Sequence, residues 1–412
     1  MLKYNDKSYI KEIILESPKY FLPLAAFFLL ISTAATNIFL ILTITTSVII
    51  FLKKRNYQIF FDEKIIKYSL LIYILLILSV FYTIGDYYEV TNLLKKYIKF
   101  LYIPIIFYYI RIFKNENLIA NYFIKGSCLI LFLSYLKYFS VLDFQGFYAF
   151  LDSLNIATIK SKIIFDKTGV FQNYLTQGII FSFLSFISFV FARKSGSFLL
   201  YIISVSSFIN IMFLNDSRTA YILVLTLLAI ILIKYLKINK FLSLIGTACI
   251  CLTITLTNIG DNFYERVIRI NTDIEMMANN NFDSSLGKRY LWLQSGFNNI
   301  KSKPIFGYGV GSYKSKIDEY ISSNNINIDS SLVVTNNPHN EFVSLSSQIG
   351  LFGLLFFIMF LISLFKKREN NFIVYGVFTT VVRSSLFNSS FYYNILCIFL
   401  IIIISLSFQK VK

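Results

Sequence analysis

The sequence is poor in charge and contains one histidine, one tryptophan, five prolines and four cysteines. Charged residues fill only 15% of the 412 positions, whereas the set AVILMFWYC reaches 56% and the mean hydropathy is +0.65. That apolar share exceeds the roughly 45 to 50% of soluble domains even when glycine is counted with them. Too few polar residues remain to cover a globule of this size, so the surplus faces lipid and a soluble enzyme is excluded. The cysteines, Cys128, Cys249, Cys251 and Cys397, all sit in apolar runs, where a thiol behaves as a small hydrophobe. Cys249 and Cys251 stand two apart and would point to different sides of a helix, so neither a disulfide framework nor a metal cluster is indicated. No proline-rich linker, low-complexity tract or repeat of fixed period divides the chain. Lys, Ile, Asn, Phe and Tyr abound in the manner of an AT-rich genome, so the rarity of histidine carries no weight by itself.

Acidic residues are also scarce, 22 against 39 basic ones, a formal charge of +17. A balance of this sign often marks nucleic-acid partners, but its distribution argues otherwise. A helix needs about 20 largely apolar residues to cross the hydrocarbon core. On that rule twelve spans are expected, at 20–35, 37–52, 66–83, 97–113, 118–140, 173–192, 196–214, 219–236, 240–258, 341–364, 370–387 and 391–408. The first two are broken only by Asn37 and could form one long tilted helix. The N-terminus carries Glu12 and Glu16 among its lysines and lacks a small-residue cleavage site, so it reads as a retained helix rather than a signal peptide. With the N-terminus inside, the inner segments hold 21 bases against 7 acids, a net of +14, while the outer ones hold 16 against 15, a net of +1. Almost the whole excess is a positive-inside signal, and no nucleic-acid partner is expected.

The expected fold is an all-α polytopic membrane protein: spans one to nine in 1–258, a large periplasmic loop in 259–340, and spans ten to twelve in 341–412, forming one integrated membrane domain. Long loops in compact proteins tend to be functional. This one is rich in Asn and Ser and holds both the single histidine and the single tryptophan.

The strongest chemical candidate is the run Asn337-Pro338-His339-Asn340-Glu341 ahead of a long apolar stretch. Asn337 as N-cap and Pro338 as first helical residue would put His339 in the first turn of the tenth span. Free N–H groups and the positive helix end suit an anion there and disfavour a second positive charge, leaving a neutral imidazole able to act as general base. The competing reading is an interfacial cap residue. Arg218 opens the eighth span, the wrong sign for a helix N-terminus. Either Asp216 compensates it or its planar fork grips an anionic ligand. In the loop, the stretch from Gly287 opens an amphipathic helix with Tyr290, Leu293, Phe297 and Ile300 on one face, ending before Pro304 and leaving Lys288 and Arg289 at its start. Arg266 and Arg269 stand upstream as further cations for a lipid-linked phosphate, or as solvated residues. Gly307-Tyr308-Gly309-Val310-Gly311 lacks the flanking strand of a dinucleotide site and reads as a tight loop. Asp273 and Glu275 offer too few ligands for a dedicated metal site.

From Arg289 through Leu291-Trp292, then Pro304, Gly307, Gly309, Gly311 and Pro338-His339-Asn340 to Gly350, the residues resemble the O-antigen ligase and polymerase superfamily of bacterial envelopes. Val343 departs from the leucine common in that pattern, and the first 200 residues match in hydropathy alone. The resemblance implies a GT-C-like membrane glycosyltransferase of the inner membrane with its active site facing the periplasm. It implies His339 as the base, and Arg218 and Arg289 as grips on the diphosphate, with Arg266, Arg269, Lys288 and Asn340 as further candidates. The implied donor is undecaprenyl-diphosphate-linked polysaccharide and the acceptor lipid A core, in an inverting transfer that needs no metal or other cofactor. A polymerase or a protein O-oligosaccharyltransferase would share the donor and differ in acceptor. A lipid-linked oligosaccharide flippase would place functional charges near the midplane, whereas the spans here are almost uncharged. One dominant loop late in the chain favours the ligase.

The charge asymmetry generates a topology prediction. Single cysteines at Ser285 and Ser331 should react with an impermeant thiol reagent added from the periplasm, and one at Lys367 should not; the converse pattern would overturn the orientation.

Overall fold

Every backbone N–H and C=O in hydrocarbon must be satisfied within the protein, and long apolar runs meet that demand by coiling. The computed structural model describes residues 17–54, 63–141, 143–153, 169–235, 271–279, 281–324, 326, 337–365 and 372–407. Among these, the extended elements are helices: α1 (Phe21–Phe28), α2 (Thr33–Lys54), α3 (Lys64–Leu78), α4 (Tyr87–Tyr97), α5 (Tyr102–Phe113), α6 (Glu116–Tyr138), α7 (Phe144–Ser153), α8 (Tyr174–Ser195), α9 (Phe198–Ile209), α10 (Arg218–Tyr235), α11 (Ser285–Ser302), α12 (Tyr313–Ser323), α13 (Glu341–Ser363), α14 (Phe372–Phe387) and α15 (Asn394–Leu406).

Among the described residues, six helical stretches are long and apolar enough to cross a bilayer: Thr33–Lys53, Lys64–Tyr82, Glu116–Tyr138, Tyr174–Ser195, Arg218–Tyr235 and Glu341–Ser363. Phe198–Leu214, Phe372–Phe387 and Asn394–Leu406 are shorter apolar helices. The chain is a multi-pass membrane protein, but the expected twelve spans are not all full crossings. The first shrinks to α1, whose eight residues reach only about 12 Å, and the break falls at 29–32 rather than at Asn37. The fourth is divided among α4, a 3₁₀ turn Ile98–Leu101 and α5. The ninth, 240–258, lies outside the described residues.

Apolar side chains lie both inside and on the surface. Large ones face outward, among them Phe198, Leu199, Ile41 and Leu52, as a lipid-facing surface requires. Inside, among buried Leu, Ile, Phe and Tyr, small hydroxyl residues hydrogen-bond back to their own helices, as Ser182 does to the Gly178 carbonyl (2.8 Å) and Thr380 to the Gly376 carbonyl (2.8 Å). Between α8 and α9 the bonds are reciprocal: Ser185 Oγ donates to the Ser204 carbonyl at 2.9 Å and Ser204 Oγ to the Ser185 carbonyl at 2.8 Å.

At one end of the bundle the N-termini of α8, α10, α13 and α15 gather around the loop helices. The opposite end carries basic residues: Arg111 pairs with Glu63 at 2.8 Å, and the Lys19 carbonyl accepts from Asn115 at 2.6 Å.

The loop is fixed to the bundle by a break in α13. Ile349 and Gly350 leave helical geometry, Gly350 at φ 66°, and the segment after Pro304 enters the gap. Leu351 N donates to the Pro304 carbonyl (2.8 Å), Tyr308 N to the Ser347 carbonyl (3.1 Å) and Gly309 N to the Gln348 carbonyl (2.8 Å). The same segment is laced to the end of α3, where Thr83 Oγ1 donates to the Val310 carbonyl (2.6 Å) and Val310 N to Ser79 Oγ (3.0 Å). The glycine run is thus a tight loop, as its sequence implies. A Cβ at Gly350 would stand 2.0 Å from the Ile305 carbonyl oxygen, whereas one at Gly196, also at positive φ, would meet nothing within 4 Å.

This contrast is measurable. Gly196→Ala should cost only about 1 kcal/mol of backbone strain. Gly350→Ala adds a backbone clash and should lower stability by more than about 3 kcal/mol, read as the thermal midpoint in detergent. Equal effects would show that the loop is not held at the break.

Candidate functional site

Helix α13 begins three residues later than its sequence suggests. Glu341 is its first residue, and Asn340 is the N-cap, its Oδ1 accepting from Val343 N at 3.0 Å. Asn337 instead closes a local turn, its Oδ1 accepting from His339 N at 2.9 Å. His339 therefore precedes the helix, in the left-handed region at φ 51°. The expectation that Asn337 caps and Pro338 opens the helix is corrected: Asn340 wins because its side chain reaches the free N–H groups directly, while Asn337 spends its oxygen on the turn. A left-handed conformation in a non-glycine residue is uncommon and clusters at functional positions. Asn340 also donates from Nδ2 to the Leu386 carbonyl at 2.9 Å, tying this end of α13 to α14.

Glu341, fully buried, clamps the same end. Tyr97 Oη donates to its Oε1 at 2.6 Å and Phe391 N to its Oε2 at 3.0 Å. These bonds join α4, α13 and the turn before α15, which delivers Tyr393. Its Oη lies 3.2 Å from His339 Nδ1. On the other face Trp292 stacks on the imidazole, with centroids 4.7 Å apart and planes at 22°.

Trp292 comes from α11, which is capped by Ser284 and starts at Ser285, two residues ahead of Gly287, and ends before Pro304 as its sequence implies. Its apolar face, which suits either the membrane surface or the spans, is only partly covered. Tyr290 and Phe297 are exposed, while Leu291, Ser295 and Asn299 are buried. Gly296 explains the choice, because a Cβ there would lie 2.3 Å from Val343 Cγ1; the small residue lets α11 close onto α13. That rotation carries Arg289 and Trp292, three residues apart on one side, toward His339.

Arg218 is the first residue of α10, as expected. It is held there by a compact turn in which Asn215 Oδ1 accepts from Ser217 N (2.8 Å) and Ser217 Oγ from Ala220 N (3.3 Å). The turn follows a π-helical segment, Asn210–Leu214.

Electrostatics show which candidates meet. Burial lowers the Arg289 pKa from its usual high value, and Arg218's charge lowers it further, offset by Tyr174 and Tyr393. The His339 imidazole is pushed down to about 4, first by burial and then by the Arg289 charge. The imidazole is neutral as expected, but for another reason: burial and a neighbouring arginine hold it so, rather than the positive end of a helix. His339, Arg218 and Arg289 thus share one site. Lys288 is partly exposed beside Arg289, Asn340 serves as the cap, and Arg266 and Arg269 lie outside the described residues. Tyr393 does not stand out as functional in the sequence, and Trp292 does so only as the single tryptophan and through the family resemblance. The signal for Trp292 is its position three after Arg289, and for Tyr393 the polar turn Asn388-Ser389-Ser390 ahead of the last apolar run. Trp292 Nε1 is buried without a hydrogen-bond partner among the described residues, as are Ser389 Oγ and Ser390 Oγ. Among the described residues no three His, Cys, Asp or Glu side chains converge on one point.

The site is therefore a neutral imidazole beside Arg289, with Arg218 next to that arginine, at the gathered helix starts of a membrane bundle. The family model of O-antigen ligase matches residues 202–358. The match takes in Arg218, Arg289 and His339 and supports membership of the O-antigen ligase and polymerase superfamily. No curated protein matches the chain.

The single histidine makes the electrostatic finding testable. Protein labelled with ¹⁵N-histidine should give one imidazole titration, well below 6.5 and near 4. Arg289→Gln should move it upward by removing the secondary cause, leaving burial in place. The stability contribution has the same sign: the unfolded imidazole takes a proton below 6.5 and the folded one only near 4, so this group's contribution is full above 6.5 and declines between those values. An ordinary titration near 6.5 in the folded protein would overturn the assignment.

Proposed function

We propose that the chain is an O-antigen ligase, transferring undecaprenyl-diphosphate-linked polysaccharide to a sugar hydroxyl of lipid A core at the periplasmic face of the inner membrane. The observation that carries this reading is a half-buried, neutral imidazole beside the Arg289 guanidinium, which in turn has Arg218 as its neighbour. A neutral imidazole takes a proton, and paired guanidiniums bind a diphosphate.

In the proposed reaction the donor diphosphate lies across Arg218 and Arg289. The acceptor hydroxyl approaches His339 Nε2. With Nδ1–H donating to Tyr393 Oη at 3.2 Å, Nε2 keeps its lone pair and points the basic nitrogen at substrate. The acceptor oxygen forms its bond to the anomeric carbon as its proton passes to Nε2. The bond from that carbon to the diphosphate oxygen breaks, and the arginines stabilise the negative charge on the leaving group. One displacement inverts the anomeric centre, without metal or other cofactor. Stacked Trp292 holds the ring in plane, and its N–H is placed for a substrate oxygen.

The test is transfer by purified protein with lipid-linked glycan donor and core acceptor. His339→Ala should lower the rate by roughly 10² to 10⁴ with little change in thermal stability. Arg218→Lys and Arg289→Lys should both weaken donor use, because a point charge does not replace a planar fork. Full activity in these variants would remove the reading. Deletion in cells separates the neighbouring activities by gel analysis of lipopolysaccharide. Loss of a ligase leaves bare core with long polymer on the carrier lipid, loss of a polymerase leaves core with at most one repeat, and loss of a flippase traps carrier-linked units inside.

A further inference from the structure

A second group of cations adjoins the site without entering the proposed chemistry. It lies on α4 and the 3₁₀ turn after it. Lys96 Nζ sits 3.5 Å from the centre of the Tyr392 ring. Tyr392 contacts Tyr393 edge to face, with centroids 5.4 Å apart at 80°, and Tyr393 reaches His339. Lys96 is therefore three contacts from the imidazole, a distance on the scale of one or two sugar rings.

Below it stands Lys99, only 7% exposed. Its Nζ donates to the Lys96 carbonyl at 3.2 Å, and among the described residues that is its one hydrogen bond, so two of its three N–H donors have no acceptor there. A buried ammonium is costly unless it is paired or meets a ligand. The nearby carboxylate, Glu89, is 3% exposed and lies 3.5 Å from Lys314 Nζ. Glu89 also acts on Lys96, so this acid faces both Lys314 and Lys96. Burial and the charge of Lys99 both lower the Lys96 pKa, partly offset by Glu89.

This neighbourhood faces other groups than the arginines do: Arg289 lies near Tyr174, Arg218 and Tyr393, and Lys96 near Glu89 and Lys99, with the touching rings of Tyr392 and Tyr393 between the two. Tyr88, 70% exposed, lies near Tyr392. Cations beside an exposed aromatic ring suit a saccharide that carries an acidic group: the Tyr88 ring takes a sugar face, and the ammonium groups, one of them held over the Tyr392 ring, take the charge.

We propose that Lys96 and Lys99, with Tyr88 and Tyr392, form an acceptor subsite that recognises a phosphate or carboxylate substituent on the sugar whose hydroxyl is presented to His339. The assignment to the acceptor rests on the proposed function, since the arginines are given to the donor diphosphate.

Binding is measured first, so that the result does not depend on turnover. The probes are a core oligosaccharide bearing a phosphate monoester and its phosphatase-treated counterpart, titrated into the full chain in vesicles of zwitterionic lipid. Wild type should bind the phosphorylated form about tenfold more tightly, and Lys96→Gln should abolish that preference while Lys96→Arg keeps most of it. Lys99→Gln should act in the same direction, and Tyr88→Ala should weaken both probes alike. Equal binding of the two probes by wild type, or a preference that survives Lys96→Gln, overturns the subsite. A lysine effect seen only after anionic lipid is added, and alike for both probes, assigns the lysines to a lipid headgroup and also overturns the subsite. In transfer assays Lys96→Gln should raise the acceptor KM about tenfold with donor KM and kcat little changed; a raised donor KM would place the lysines with the diphosphate. If the binding preference holds but no transfer occurs, the proposed function fails and the subsite stands.

Discussion

The structure depends on how one interrupted helix recovers its backbone hydrogen bonds. At Ile349 and Gly350 the ladder of α13 stops, and in a membrane interior each orphaned polar group would cost several kcal/mol. The segment after Pro304 supplies the partners, so the break and the loop exist only together. Because α11 ends at Ser302, just ahead of that segment, its axis is set by the stitch. Gly296 then lets it close on Val343, and Arg289 and Trp292 arrive beside His339. A loop drawn from the polar part of the sequence thereby acquires the rigidity of the bundle.

A second constraint is like charge brought close together. Arg218 and Arg289 repel one another in a partly buried site, and burial together with the Arg289 charge keeps the imidazole neutral. The arrangement costs stability, which a bound anion would offset. Groups strained until a ligand completes them are frequent where binding energy is turned to chemistry. The buried carboxylate of Glu341 is kept out of this exchange, since both of its oxygens are occupied by Tyr97 and the Phe391 backbone.

Much of this is legible in the order of residues. Apolar length locates most of the long helices, and Ser284 and Pro304 bound α11 because caps and proline act locally. Arg218, Arg289 and His339 are legible as candidates from their place at helix starts. What local rules do not decide is competition between neighbours. Asn337 and Asn340 are both good caps, and only the tertiary fit of Asn340 against Leu386 and Val343 selects the second. The apolar stripe through Tyr290 and Phe297 stays exposed while Leu291, Ser295 and Asn299 are buried, since Gly296 lets α11 approach α13 closely and large apolar side chains at a membrane surface gain little from burial in protein. The partners of His339 lie 47 and 54 residues away, and no periodicity carries such a contact.

The π-helical segment Asn210–Leu214 has a geometric effect on Arg218. Relative to an α-helix, a turn closed by an i+5 bond, here Asn215 N to the Asn210 carbonyl at 2.9 Å, holds one surplus residue. One residue corresponds to about 100° of azimuth around the axis. The segment therefore acts as a phase shifter between α9 and the turn to α10: it rotates the exit of the chain without lengthening the helix appreciably, and aims Arg218 along a bearing that an uninterrupted α9 would miss. Azimuth at this one place, rather than depth in the membrane, decides whether the first arginine meets the second.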